Sequence, residues 1–377
     1  MFNDCLQGVR VLDLSQYIPG PFATQILADL GADVLKIEPP SGDPMRGFML
    51  LDEDGISPLY KQINAGKQLL ELDLKAPADR ALFEELVTRA DVLLESYRPG
   101  VMERLGFGRE RLQQLNPRLI HCALSGFGQT GPARLRAGHD LTYLAMSGSL
   151  GVSGTADTPA MAFAPVADHA GAILATTAIL AALLRRGGTN RGAYLDLSLF
   201  EAALFWQSIG LTAAQRPGAA LARGRDLLTG GAACYQIYPT ADGRFAALAP
   251  LEEKFWAAFC QAVARPDWIP RQFETMPQTG LIAEVQALFS TRSLAEWQDL
   301  LAEVDCCFEP VLELAEVCDH PQVQARQLLQ RQQQPPRADV LFAAWVDGLP
   351  PRPRPELRQL SPEQARRVWS TPAGSVA

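Results

Sequence analysis

The segment GVRVLDLSQYIPGPFATQILADLGADVLKIE, residues 8–38, decides the fold class. Its first part, residues 9–14, has the apolar character of a strand, and residues 32–37 have it again. Between them, the Gly20-Pro21 turn opens a helix and Gly31 ends it. Proline near a helix start and glycine just past its end are the usual boundary signals. The segment therefore predicts a strand, a helix and a second strand.

The same alternation continues through the first half of the chain. Further strands are predicted near 69–72, 91–94, 119–124 and 193–197, and further helices at 77–89, 109–115, 170–184 and 199–214. Strands that alternate with helices through short links are typical of a doubly wound, mostly parallel sheet. We therefore expect an α/β fold with a Rossmann-like large domain over residues 1–214.

A second domain is expected after a polar stretch, rich in Gly and Arg, at residues 215–231. The Asp242-Gly243 turn between two apolar runs is a β-hairpin signal, and helical patterns follow it. These features predict a small α+β domain at 225–312. The remainder, residues 313–377, becomes rich in Gln, Pro and Arg. We expect it to return as an extended segment that packs on the large domain.

Composition excludes several classes of function. The 377 residues carry a formal net charge of −8, whereas nucleic-acid binding usually needs a basic face. Seven cysteines without a CxxC pair or zinc-like spacing are typical of a reduced, cytoplasmic protein, and we expect no metal. The most apolar stretch, residues 170–184, is shorter than a bilayer requires. We expect neither a nucleic-acid partner nor membrane insertion.

Asp168 is the first candidate for chemistry. It precedes the apolar helix predicted to begin near Ala170, where a carboxylate can serve as an N-cap. The same position offers free N–H groups and a partial positive charge, which can hold a carboxylate or a developing oxyanion. The structural and the functional interpretation are compatible with each other.

The sequence Gly138-His139-Asp140 is the second candidate. His139 and Asp140 can share a proton near neutral pH, which suits acid–base catalysis, although such pairs are commonly structural. Upstream, residues 126–131 match GxGxxG, but the polar segment after them does not continue as the helix that a dinucleotide site requires. A glycine loop beside an active site is the preferred interpretation, and a plain surface loop is the alternative.

Charged residues at strand and helix ends give further candidates. Six cations fall within the first 104 residues, several at predicted strand ends or loops: Lys36, Arg46, Lys61, Lys67, Arg98 and Arg104. Because ligands of open α/β sheets bind at the carboxyl ends of strands, these cations suit a phosphate-bearing ligand. A solvated basic face is the alternative. Glu252 and Glu253 open a helix after the hairpin, where the helix dipole alone favours acidic residues.

Several stretches together resemble the class III CoA-transferase superfamily (CaiB/BaiF type). They are residues 8–14 and 20–38, RPGVMERLG at 98–106, NPRLI at 116–120, SGFGQTGP at 125–132 and DCCFEPV at 305–311. The resemblance extends from about residue 8 to residue 330. It implies an enzyme that acts on acyl-CoA thioesters by one of two chemistries. Transferases form covalent intermediates on an aspartate, and α-methylacyl-CoA racemases move the proton next to the thioester.

The resemblance implies roles for individual residues. Asp168 matches the key aspartate of both branches. The stretch GHDLTYLAMSG at 138–148 is similar to the racemase pattern, in which the histidine, here His139, is one of two acid–base groups. Asp140 lies beside it, and Glu252 falls where racemases carry a glutamate that supports the histidine. The resemblance therefore favours a racemase, with a class III CoA-transferase as the alternative.

The resemblance also implies how the substrate is held. By position, Arg98, Arg104 and Lys36 are carried over as CoA-binding residues. The CoA is part of the substrate, and no further cofactor is implied. In the racemase mechanism, main-chain N–H groups at the helix start near Asp168 are expected to stabilise the enolate oxygen. The family further implies an interlocked homodimer whose active site lies between the large domain of one chain and the small domain of the other.

Overall fold

The computed structural model describes residues 4–333 and 336–370, which form two compact units. The first contains the described residues of Met1–Leu144, Ala164–Phe205 and Cys318–Ala377, and the second contains Ala145–Phe163 and Trp206–Val317. Residues 145–163 and 206–214, which the sequence analysis placed in the large domain, thus belong to the second unit. Gln207 and Arg223 hold the first of these segments there, because their side chains donate to Ser149 Oγ (2.9 Å) and the Gly151 carbonyl (3.0 Å).

Strands and helices alternate along the first unit. The strands in chain order are β1 (Arg10–Leu14), β2 (Asp33–Glu38), β3 (Gln68–Glu71), β4 (Val92–Glu95), β5 (Ile120–Ser125), β6 (Ala193–Ser198), β7 (Gln236–Pro239), β8 (Phe245–Leu248), β9 (Phe308–Pro310), β10 (Leu329–Gln333), β11 (Pro336–Val340) and β12 (Arg358–Gln359). The helices are α1 (Pro19–Asp29), α2 (Pro58–Asn64), α3 (Pro77–Arg89), α4 (Val101–Arg104), α5 (Arg109–Leu115), α6 (Asp140–Met146), α7 (Ser149–Val152), α8 (Val166–Thr189), α9 (Leu199–Phe205), α10 (Ser208–Ala214), α11 (Glu253–Ala262), α12 (Thr279–Phe289), α13 (Leu294–Leu301), α14 (Leu314–Val317), α15 (Pro321–Ala325) and α16 (Pro362–Val368).

A seven-stranded sheet, in the order β12-β3-β2-β1-β4-β5-β6, forms the centre of the first unit. All of its neighbouring strands are parallel. The chain builds outward from β1 through β2 to β3, then crosses to the other side of β1 and continues through β4 to β6. The order therefore reverses between β1 and β4, and the crevice at their carboxyl ends is where such sheets bind ligands.

Helices cover both faces of this sheet. Successive residues of β1 point to opposite faces. Leu12 and Leu14 belong to a buried apolar cluster that also contains Phe83 of α3. Asp13, between them, accepts a 2.6 Å hydrogen bond from Thr24 Oγ1 of α1. α1 and α3 therefore cover different faces, and the predicted α/β fold with a large parallel sheet is confirmed.

The helix α8 differs from its prediction in both length and start. It runs for 24 residues and is long and apolar enough to cross a membrane by length and composition alone, so the length argument made from the sequence was wrong. In the structure it packs on α1, α9 and β5 as a core helix of the first unit. A Cβ at Gly171 would lie 2.4 Å from the Leu199 side chain, so this glycine permits the close approach of α8 and α9.

The second unit is built around an antiparallel sheet in the order β7-β8-β9. β7 and β8 pair across the Asp242-Gly243 turn. α11, α12 and α13 contribute to its buried core, which is rich in large aromatic side chains: Trp256, Phe259, Trp268, Phe289 and Trp297. These side chains are fully buried, so this unit has an apolar core of its own.

The end of the chain returns to the first unit. β10 and β11 form an antiparallel hairpin, and the proline-rich stretch after it leads to β12, which pairs with β3. The Gly66 N–H donates to the Pro355 carbonyl (2.7 Å). Trp369 is buried, and its indole N–H donates to Asp33 (2.6 Å). The last described turns of the chain are thus part of the large sheet and its core.

Candidate active site

Two loops meet at the carboxyl ends of β1 and β4. The Gln16 N–H, after β1, donates to Ser96 Oγ, after β4 (3.0 Å). The next residue on the first loop, Tyr17, has a φ of 62° and an exposed ring. A left-handed backbone is uncommon for a residue other than glycine and often marks a functional site. The second loop continues to the exposed side chain of Arg98. Both loops therefore present side chains to the crevice of the sheet.

Arg104 lies one short helix beyond Arg98, at the end of α4, and is also exposed. The place that a Cβ at Gly100 would take is 3.4 Å from its guanidinium, so the guanidinium lies over the glycine turn. The two arginines that the resemblance assigns to CoA binding are therefore both open to solvent on the segment that follows β4.

Lys36 is placed differently from the other two predicted CoA-binding residues. Its side chain is fully buried, and its ammonium contacts Asp43 (3.0 Å) and the Ser15 carbonyl (2.8 Å). Lys36 lies in β2, a central strand of a parallel sheet covered on both faces, where side chains are buried on either side. The contacts of its ammonium are explained by the fold, and its side chain offers no exposed surface to a ligand.

His139 stands at the start of α6 with its ring exposed. Its carbonyl accepts hydrogen bonds from the Thr142 N–H (2.8 Å) and Thr142 Oγ1 (2.7 Å), which fix the backbone. The imidazole and the Tyr17 ring meet edge to face with centroids 6.4 Å apart. α6 therefore delivers the histidine to the loop after β1.

Asp140 connects α6 to the start of α8. Its Oδ1 accepts hydrogen bonds from the N–H groups of Ala167 (2.6 Å) and Asp168 (3.1 Å). Asp140, and not Asp168, thus provides the carboxylate at this helix terminus. The expectation that these N–H groups are free to hold an enolate oxygen is wrong, because Asp140 already occupies them. That oxygen would have to be held by other donors.

Asp168 lies inside the first turn of α8, which begins at Val166 rather than near Ala170. Its side chain is half-buried. Burial, assisted by the neighbouring charge of Asp140, raises the pKa of Asp168 to about 7. At neutral pH the carboxyl is therefore divided between its protonated and deprotonated forms. Since Asp140 adjoins His139 in the chain and bonds the Asp168 N–H, the structure brings His139, Asp140 and Asp168 together.

Tyr143 is a further residue of this site that the sequence analysis did not identify. It is buried, and a Cβ at Gly126 would lie 2.5 Å from its hydroxyl oxygen and one at Gly138 2.6 Å from its ring. Burial and the charge of Asp168 raise its pKa to about 12, so the hydroxyl stays protonated. Tyr143 follows Asp140 by three residues in the predicted helical stretch, which places both on one face of α6 and is the signal that could have found it.

The glycine loop at 126–131 has the form that the sequence analysis preferred. The Gly128 N–H donates to Ser125 Oγ at the end of β5 (3.0 Å), and turns rather than a helix follow the loop. A dinucleotide fingerprint needs a helix at this point. The loop instead packs on Tyr143, beside the site.

Glu252 lies in the second unit, at the N-cap position of α11, and its side chain is exposed. Its carbonyl accepts hydrogen bonds from the N–H groups of Phe255 (3.1 Å) and Trp256 (3.2 Å). Among the described residues its carboxylate caps no helix N–H. Its predicted support of His139 stays a prediction.

Comparison with known proteins gives one family and two chemistries. The sequence model of CoA-transferase family III matches residues 6–363. α-Methylacyl-CoA racemase of Homo sapiens is 35% identical over 323 residues, which cover 84% of this chain and 80% of the relative. Acetyl-CoA:oxalate CoA-transferase of Acetobacter aceti is 35% identical over 333 residues, which cover 85% and 84%. Overall identity therefore does not separate a racemase from a transferase.

Solved structures agree with the fold. A CaiB/BaiF family protein from Brucella suis superposes with a TM-score of 0.82 at 25% sequence identity, and the match covers 97% of this chain and 98% of that one. Near-complete coverage on both sides means that both units, and not the large sheet alone, have counterparts in that structure.

Proposed function

The chain belongs to CoA-transferase family III, and from that membership we propose that it is an acyl-CoA racemase or epimerase that moves the α-proton of a 2-substituted acyl-CoA thioester. The observation that carries the proposal is the pairing of an exposed imidazole, His139, with a carboxyl whose pKa of about 7 lies at working pH, Asp168. Asp140 joins the two through the first turn of α8.

Racemisation at an α-carbon needs two groups that exchange protons with opposite faces of that carbon. A thioester acidifies the α-proton, one group removes it, and the other delivers a proton to the far face. In the reverse direction the two roles exchange, so each group must be able to hold and to release a proton near neutral pH. His139 and Asp168 both satisfy this condition. Arg98 and Arg104 would bind the phosphates of the CoA.

The same pKa argument weighs against a nucleophilic role for Asp168. A carboxyl acts as a nucleophile only when it is deprotonated, and a pKa raised to about 7 keeps part of the population protonated. The support of His139 by Glu252 and the interlocked homodimer remain parts of the proposal.

Hydrogen exchange at the α-carbon tests the proposal. The purified protein is incubated with a 2-methylacyl-CoA in deuterated water without an acceptor acid, and deuterium incorporation is followed by mass spectrometry. We expect His139→Ala and Asp168→Ala each to lower the exchange rate by about 100- to 10,000-fold, because each removes one acid–base group. His320→Ala and Asp319→Ala change the same residue types on an adjacent pair outside this site and should retain the rate. Near-full exchange in His139→Ala would contradict the two-base assignment.

A CoA-transferase is the second candidate, and the 35% identity to the oxalate CoA-transferase favours it. In that reaction Asp168 would attack the acyl-CoA carbonyl and carry the acyl group, and then CoA, as covalent intermediates. It predicts turnover only with an acceptor acid, a trapped enzyme–CoA thioester on Asp168 and little effect of His139→Ala. Absence of exchange with several acyl-CoAs, together with acceptor-dependent CoA transfer, would replace the racemase by the transferase.

A further inference from the structure

A polar cavity of about 420 Å³ lies beside β6, the edge strand of the large sheet. Arg109, Arg185 and Arg191 contribute to its lining together with His121 and Tyr194, and its lining residues include no carboxylate. The volume is in the range of small-molecule sites. Three guanidinium groups around one cavity, in a chain whose net charge is −8, form a local basic pocket.

His121 is the unusual member of this lining. It lies in β5 directly beside Tyr194 of β6, and its residue exposure is 6%. In the described part of the chain neither ring nitrogen has a hydrogen-bond partner. The Glu95 carboxyl is 4.0 Å from Nε2, which is too long for a hydrogen bond. Because buried polar atoms are nearly always bonded, the imidazole indicates a partner that enters the cavity.

The charges around His121 favour an anion as that partner. Arg109 stacks on the Tyr194 ring (4.6 Å) and the ring meets His121 edge to face (5.0 Å), so the three side chains are ordered by one another. Arg185 and Arg191 are exposed at the other side of the lining. Burial raises the pKa of Glu95 to about 8, so this neighbouring carboxyl is mostly neutral at pH 7 and does not repel an anion.

This cavity is distinct from the candidate active site. Its lining lies at the amino-terminal parts of β5 and β6, whereas Arg98 and His139 follow the carboxyl ends of β4 and β5. From His121 to Ser125 the strand alone covers about 13 Å at 3.3 Å per residue. We propose that the cavity is a second, non-catalytic site for a phosphate-bearing metabolite, in which Arg185 and Arg191 bind phosphate oxygens and His121 donates a hydrogen bond from within.

Binding of pyrophosphate and of ADP to the full chain, measured by isothermal titration calorimetry, tests the proposal. We expect Arg185→Ala and Arg191→Ala each to weaken binding about tenfold or more, because guanidinium–phosphate hydrogen bonds are charge-assisted. Arg111→Ala is the matched control, since it removes the same charge from α5 outside the lining and should bind as the wild type does. His121→Phe keeps the ring shape, and we expect it to weaken binding, with a thermal melt to show that it is folded.

CoA also carries phosphates, so the experiment must separate the two sites. Arg98→Ala with Arg104→Ala alters the predicted CoA-binding residues and should leave pyrophosphate binding unchanged. If this double variant loses pyrophosphate while Arg185→Ala and Arg191→Ala retain it, the probe binds at the CoA site and the second site is refuted. No binding at about 10 mM probe would refute it as well. Neither readout involves turnover, so the outcome is independent of which reaction the active site performs.

Discussion

Asp13 and Asp168 lie in the same unit and are both withdrawn from water, but their pKa values move in opposite directions. Burial alone would raise the pKa of Asp13, yet the Lys67 and Lys36 ammonium groups and hydrogen bonds from Ser15 and Thr24 hold it well below its usual range. Burial raises the pKa of Asp168 to about 7, and Asp140 adds to the rise. The difference is that one carboxylate has cations and hydroxyls around it and the other faces a second carboxylate.

This contrast separates a region that stabilises the fold from one that is suited to chemistry. Lys67 contacts Asp13 (3.1 Å) and Lys36 contacts Asp43 (3.0 Å), and all four side chains are fully buried. Every charge there has a partner and none can change cheaply. At Asp168 the charged form is held weakly, so a proton can come and go. Strongly perturbed carboxyls in a crevice are typical of functional sites.

The largest effect is expected where the sealed network is broken. Asp13→Asn removes the counter-charge of Lys67 and leaves a buried ammonium uncompensated, which typically costs about 3–5 kcal/mol of unfolding free energy. Urea denaturation at pH 7 measures the loss. Asp54→Asn is the control, because that carboxylate pairs with Lys61 while half exposed, and such a pair contributes at most about 1 kcal/mol. Equal losses in the two variants would mean that the buried network does not stabilise the fold.

The next effect has the opposite sign. Since folding raises the pKa of Asp168 above that of the unfolded chain, its stabilising contribution is complete below about pH 4 and is lost as the pH rises through 7. Asp168→Asn abolishes this dependence. Relative to the wild type we expect it to gain stability between pH 4 and pH 8, on the order of a few kcal/mol at 1.36 kcal/mol per pKa unit. Denaturant midpoints across that range test it, and parallel curves for the two proteins would contradict the raised pKa.

The sequence predicted well what local signals determine. Helix α3 was predicted at 77–89 and occurs at Pro77–Arg89, and β1 and β2 lie within one residue of their predictions. Proline and glycine at helix ends and apolar runs in strands act over a few residues, so they can be read directly. The resemblance to the CoA-transferase family is confirmed by the match over residues 6–363.

Long-range contacts account for what the sequence analysis missed. Asp168 was expected to cap the helix, but the cap comes from Asp140, 27 residues before Ala167. Nothing local to Asp168 reveals that hydrogen bond. Lys36 looked available for a ligand because a lysine is normally exposed, whereas its place between Leu35 and Ile37 in a buried strand was the signal against it.

The smallest expected effect sharpens the comparison most. Asp140→Asn keeps an oxygen that can accept from the Ala167 and Asp168 N–H groups, but it removes the negative charge beside Asp168. Because that charge is the second cause of the shift, after burial, we expect the pKa of Asp168 to fall below 7 and to stay above its ordinary value. Stability should change by no more than about 1 kcal/mol, since the helix terminus keeps its acceptor. A carboxyl ¹³C NMR titration of Asp168 measures the shift. An unchanged titration would mean that burial alone distinguishes Asp168 from Asp13, and that Asp140 serves only to hold α6 against α8.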